Sequence, residues 1–201
     1  MNPQKMFTII LLLCLSSCVM IVKWKYGITN PKEETTEKLI SFLEKHKYPT
    51  SEMYIFSDSS SYFKTVRNRE FRKNMLSHLV FDHSGLLLWR DTSKCQWSGY
   101  DLIKTLSKDS SYKKDTGLNL DQILGHICPF GKSAEKDSIV NNPDFTVIVT
   151  WAKFLGEYNY RLFVLSGAVK ENKAASIRLI WLNVDMQENW HLTKQQKLAF
   201  K

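Results

Sequence analysis

The chain has 201 residues, 43% apolar and 12% aromatic, which is enough for the core of one medium-sized domain, and no repeat or low-complexity stretch interrupts it. Lys and Arg number 28 against 20 Asp and Glu, a net charge of +8 spread along the chain rather than gathered in one run. Charge alone would admit a nucleic-acid face, but no nucleic-acid motif accompanies it, so a basic surface near an anionic membrane or glycan is the expectation.

Met1 to Lys5 forms a short positive start, and Met6 to Val22 is almost wholly apolar. Leu15-Ser16-Ser17-Cys18 within that run resembles the bacterial lipobox, which implies lipidation of Cys18 after cleavage. The alternative is an uncleaved signal anchor closed by Lys23 and Lys25, since the run sits at the short limit of a membrane span. Both place the folded part on the extracytoplasmic side of a membrane, in the cell envelope. The division expected is a signal segment over 1–18, a membrane-proximal linker over 19–29 and one domain over 30–201.

Asn30-Pro31-Lys32-Glu33 reads as a helix start, with Leu39, Ile40 and Leu43 as the apolar stripe and an end by Tyr48. Met53 to Phe56 is a short strand. Asp58 caps a helix carrying Tyr62, Phe63 and Val66, followed by a basic face of Arg67, Arg69, Arg72 and Lys73. Leu79-Val80-Phe81 and Leu86 to Trp89 form a hairpin around Gly85. Ser98 to Asp101 opens a helix with Leu102, Ile103 and Leu106 inward. Ser107 to Gly117 is a polar loop. Asn119 caps a short helix through Ile127, ended by Pro129, and Gly131 to Pro143 is a second polar loop. The tail from Trp190 forms a short helix on Leu192 and Leu198.

The organising stretch is Phe145 to Gln187. Phe145-Thr-Val-Ile-Val-Thr-Trp151 and Ile177 to Asp185 are β-branched apolar runs of buried strands. Between them Tyr158, Leu162, Leu165 and Val169 fall at helical spacing, and Asn172 ends the helix. Strand, helix, strand over this length is a βαβ unit with parallel strands.

At its turn the chain resembles the thioredoxin family. Trp151-Ala152-Lys153-Phe154-Leu155-Gly156-Glu157-Tyr158 stands against the family's W-A-x-W-C-G-P-C, and Leu182-Asn183-Val184-Asp185 is similar to its next strand. Trp151, Ala152 and Gly156 match. Leu155 and Tyr158 occupy the two cysteine positions, and Glu157 replaces the proline. Leu76-Ser77-His78 stands where the family keeps a cis-proline before its hairpin. The resemblance implies a thioredoxin-like α/β fold, a mixed central sheet flanked by helices, with its usual site erased. Thiol–disulfide exchange needs a thiolate, which leucine and tyrosine cannot supply. In that family the hairpin block follows the βαβ block. Here residues 30–130 precede 144–187, so the order is exchanged, as in a circular permutation, or two layers merely share the style. One mixed sheet built from both blocks is the expectation.

Cys95 and Cys128 are the cysteines of the folded part. A structural disulfide, two separate thiols and a reactive pair all stay open. No two histidines have i, i+4 metal spacing, and His126 with Cys128 does not make a zinc site. No catalytic set, metal or cofactor is expected. Trp151, Phe154, Leu155, Glu157 and Tyr158 form the candidate binding corner, able to take a peptide or a sugar; filling of the space left by the lost disulfide is the alternative. The leading reading is a membrane-tethered binding or assembly protein without redox activity, partnered by another cell-envelope protein. A divergent oxidoreductase using Cys95 or Cys128 and a glycan- or solute-binding lipoprotein are the alternatives.

Overall fold

A computed structural model describes residues 21, 23–88, 98–130 and 142–198. In chain order the first half holds β1 (Glu33–Glu34), α1 (Thr36–Lys45), β2 (Met53–Phe56), α2 (Ser59–Arg67), α3 (Arg69–Lys73), β3 (His78–Asp82), β4 (Leu86–Leu88) and α4 (Ser98–Thr105). Then come β5 (Lys114–Asn119), α5 (Leu120–Leu124), β6 (Ile127–Pro129) and β7 (Phe145–Trp151). A kinked 3-10 segment (Lys153–Asn159), α6 (Tyr160–Phe163), α7 (Leu165–Glu171), β8 (Ile177–Asn183), β9 (Met186–Gln187) and α8 (Lys194–Leu198) follow.

The fold is α/β, with one mixed seven-stranded sheet in the order β5-β4-β3-β7-β8-β2-β6 and helices flanking it. β7 is the middle strand and is buried at all seven residues. Its Val and Ile run suits a position covered on both faces. β8 pairs parallel to it from Phe145↔Ile177 to Trp151↔Asn183, as a βαβ unit requires. β3 pairs antiparallel to its other edge, from His78↔Val149 to Asp82↔Phe145. The two sequence blocks therefore share one sheet, as expected. The β3–β4 turn is closed by Gly85 at φ +77 and by Asp82, whose carboxylate accepts from Ser84 N (2.9 Å) and Leu86 N (3.0 Å). Burial pushes that carboxyl up, but hydrogen bonds from Lys114, Ser84 and Leu86 outweigh it and hold the pKa at about 2.

Several expected elements differ. The first helix starts a turn late. Pairing of β1 with β9 claims the backbone of Glu33 and Glu34, and Thr35 rather than Asn30 caps, accepting from Lys38 N at 3.3 Å. The helix expected over 158–169 is broken. Asn159 draws in the carbonyls of Ala152 (2.8 Å) and Gly156 (2.9 Å), and Ser166 Oγ takes that of Phe163 (2.8 Å) where α6 meets α7. The end of the first polar loop is edge strand β5, whose polar pattern is that of a solvated edge. Ile127 belongs to β6, because α5 stops at Leu124 with Gly125 as its C-cap. In the tail Leu192 is buried, but Leu198 is 57% exposed.

Asn172 ties the blocks together. Its Nδ2 donates to the carbonyls of Ile103 and Leu106 at the end of α4, both at 2.8 Å. Its Oδ1 accepts from Ala174 N (2.8 Å) and Ala175 N (3.0 Å). The side chain is thus fully used. Asn172→Ala removes both bonds, leaving the Ile103 carbonyl only the Leu106 amide at 3.4 Å, and is expected to cost about 2 kcal/mol in denaturant unfolding. A loss below about 1 kcal/mol would show the tie to be dispensable.

Candidate functional site

The turn after β7 divides the candidate corner into three parts. Trp151 is fully buried, stacked on Phe42 of α1 (6.1 Å, 8°) and tilted against Phe163 (5.8 Å). Leu155, at the first cysteine position, is also in the core. These two fill space rather than face a ligand. Phe154 is half-buried, and its carbonyl accepts from Thr29 N at 2.8 Å. Glu157 is exposed and Tyr158 half-buried, and both line a groove of about 480 Å³.

That groove is assembled from distant pieces. Tyr158 and Arg161 come from the turn, Ser77 and His78 from the approach to β3, Tyr100 from α4 and Tyr26 from the N-terminal segment. The carboxyl end of β7 and the start of its antiparallel neighbour β3 meet here, the usual approach side for ligands of βαβ units. Leu76-Ser77-His78 therefore lies opposite Glu157 and Tyr158 across one opening. The ring of the buried His78 rests against Gly99 of α4. Tyr100 OH donates to Glu171 at 2.7 Å.

The N-terminal segment closes one side. Residues 23–26 are helical, and Tyr26 meets Tyr158 edge-on (5.6 Å, 90°). Arg161 donates to Tyr26 OH at 2.8 Å and lies over both rings, at 5.4 and 5.3 Å. Gly156 is at φ +54, and a Cβ there would stand 2.4 Å from the Tyr26 carbonyl. The glycine that matches the thioredoxin pattern is thus the crossing point of two chain segments.

Behind the turn lies a buried polar cluster. Asp185 Oδ2 accepts from Lys153 N (2.5 Å) and Asn183 Nδ2 (2.8 Å), while Oδ1 has no hydrogen-bond partner among the described residues. Asn183 Oδ1 accepts from Gln187 Nε2 at 3.2 Å, and Lys153 Nζ pairs with Glu34 at 2.6 Å. Burial pushes the Asp185 carboxyl up to about 6, with nearby Glu34 adding to the rise and the bonds from Lys153, Asn183 and Phe154 opposing it.

Cys18 and Cys95 lie outside the described residues, so neither the lipidation site nor the pairing of Cys95 with Cys128 is placed. Cys128 is half-buried on β6, opposite Ile55. His46 stacks on Tyr48 and is tilted against Phe42. Among the described residues no group of three or more metal-ligating side chains occurs, and no helix is long and apolar enough to cross a membrane. Sequence reading missed Tyr26, Tyr100 and Arg161 as groove residues; only the crowding of tyrosines near position 158 hinted at them. Comparison of the chain with protein-family models, with curated proteins and with solved structures returns no match.

The Asp185 carboxyl binds its proton more tightly folded than unfolded, so the native state holds extra proton between about pH 4 and pH 6. Stability from this group is therefore greatest at the acid end and falls as pH rises through that window, by on the order of 3 kcal/mol. Asp185→Asn should remove this slope and raise stability at pH 7. An unchanged pH profile of unfolding would refute the assignment.

Proposed function

We propose that this chain is a membrane-tethered, extracytoplasmic binding or assembly module on a thioredoxin-like core of exchanged element order, without redox chemistry. The supporting observation is the groove itself: the family's turn and the stretch at its cis-proline position face one opening, lined by Tyr158 where a thiol would stand. Leucine at the other position is core. Tyrosine is among the residue types that most often dominate binding energy at interfaces. The partner expected is another protein of the cell envelope. Lipidation of Cys18 rests on Leu15-Ser16-Ser17-Cys18 behind Lys5 and an apolar run. Cys128, on the outermost strand, is not among the groove residues, which weighs against an oxidoreductase built on it.

Two substitutions three residues apart separate binding from packing. Once the partner is identified by photo-crosslinking from position 157 in native membranes, Tyr158→Ala should weaken the purified complex by about 2 kcal/mol with little change in melting temperature. Leu155→Ala should do the reverse, costing about 3 kcal/mol of stability while sparing affinity. A Tyr158→Ala protein that binds its partner fully would end the claim for this groove. The protein should also leave the rate of insulin reduction by dithiothreitol unchanged; an acceleration lost in Cys95→Ser or Cys128→Ser would restore the oxidoreductase.

A further inference from the structure

The described residues include four large apolar side chains that are strongly exposed: Ile21 (59%), Trp24 (86%), Tyr160 (65%) and Leu198 (57%). The first three lie at the N-terminal helical residues and at the groove rim. The same region carries three cations, Lys23, Lys25 and Arg161. Lys25 Nζ stands 5.5 Å from the Tyr26 ring, and Arg161 contacts that ring from 5.4 Å. None of the three pairs with a carboxylate among the described residues, whereas six other Lys and Arg residues do. Glu157 is the one carboxylate among the groove-lining residues, which leaves the face cationic.

We infer that Ile21 and residues 23–26, together with Tyr160 and Arg161, form a docking face for an anionic lipid surface, which holds the mouth of the groove at the headgroups. Exposed Trp and Tyr beside unpaired Lys and Arg is the chemistry of a bilayer interface, with rings at headgroup depth and cations at phosphates. An acidic protein partner would satisfy the cations but leave Ile21 and Trp24 in water. The attachment is stiff. Ile28 N donates to Lys23 O (2.8 Å) and Thr29 N to Phe154 O (2.8 Å), and the chain crosses Gly156 in close contact. The apolar run to Val22 leads directly into this segment. A lipid on Cys18 would therefore keep Tyr26 within about 28 Å of the bilayer even with the intervening chain fully extended. The inference rests on the membrane tether proposed above but not on the identity of the groove's partner.

Position 160 is the discriminating place, since a tether at the N-terminus brings it to the lipid only if the face docks. Full-length Tyr160→Trp protein is reconstituted into vesicles carrying lipids brominated near the headgroup. The quenching of the added tryptophan is its difference from the parent protein. Strong quenching is expected in phosphatidylglycerol–phosphatidylcholine vesicles and little in phosphatidylcholine alone, with high salt abolishing the difference. Each of Lys23→Gln, Lys25→Gln and Arg161→Gln should lower the docking equilibrium about fivefold. The two lysine variants test the face without touching the groove. Equal quenching in both lipids, none in either, or indifference to all three substitutions would overturn the docking face. Failure of the protein to remain with vesicles at all would instead overturn the tether.

Discussion

A wholly buried strand cannot leave its backbone to water, so every N–H and C=O of β7 must find a partner within the protein. That requirement organises this molecule. β8 satisfies one edge along its full length and β3 the other from Phe145 to Val149; β3 precedes β7 in the chain and β8 follows it. The helical layers follow from the same demand, because the faces of β7 also need cover. α1 reaches Trp151 through Phe42, and α4 is bound to the end of α7 through Asn172. The groove exists because these two strand ends, and the segments leading from them, converge.

The turn divides its side chains between core and surface. Leu155 points inward and joins the core, and Tyr158 stands in the groove wall. The main-chain path between them is held by Asn159, which binds the carbonyls of Ala152 and Gly156, and by Asp185, which binds the amide of Lys153. The turn is thus maintained by amide and carboxylate hydrogen bonds. Asp185 carries an electrostatic cost in doing so, since its second oxygen is buried without a donor among the described residues.

What could be read from the amino-acid order was whatever depends on neighbours. β7 and β8 announce themselves by β-branched runs, the hairpin by Gly85, and the helix α2 by Asp58, which caps Ser61 N at 2.8 Å. β5 and β6 were hidden because a short or solvated edge strand has no apolar alternation to detect. The broken helix after the turn was hidden because Asn159 acts through carbonyls three and seven residues away. Of the groove, Glu157 and Tyr158 were visible. Tyr26, Tyr100 and Arg161 belong to it through tertiary placement alone, since no pattern in sequence marks residues that meet only when a sheet is assembled.

The order of the strands along the chain bears on how it is made. β2 and β3 are synthesised first, yet neither has its inner neighbour until β7 and β8 appear and slot between them. Ser77 waits for Thr150, 73 residues later, to take its amide hydrogen bond. At ordinary elongation rates that is roughly 4 to 15 seconds during which two strand edges, one of them bearing Leu79, Val80 and Phe81, stand unpaired. Nascent chains that stop short of Phe145 would present both edges at once. This topology makes the stretch from Phe145 to Asn183 the keystone of the sheet, and it makes the incomplete protein a natural client for whatever shields unfinished β-structure in the cell.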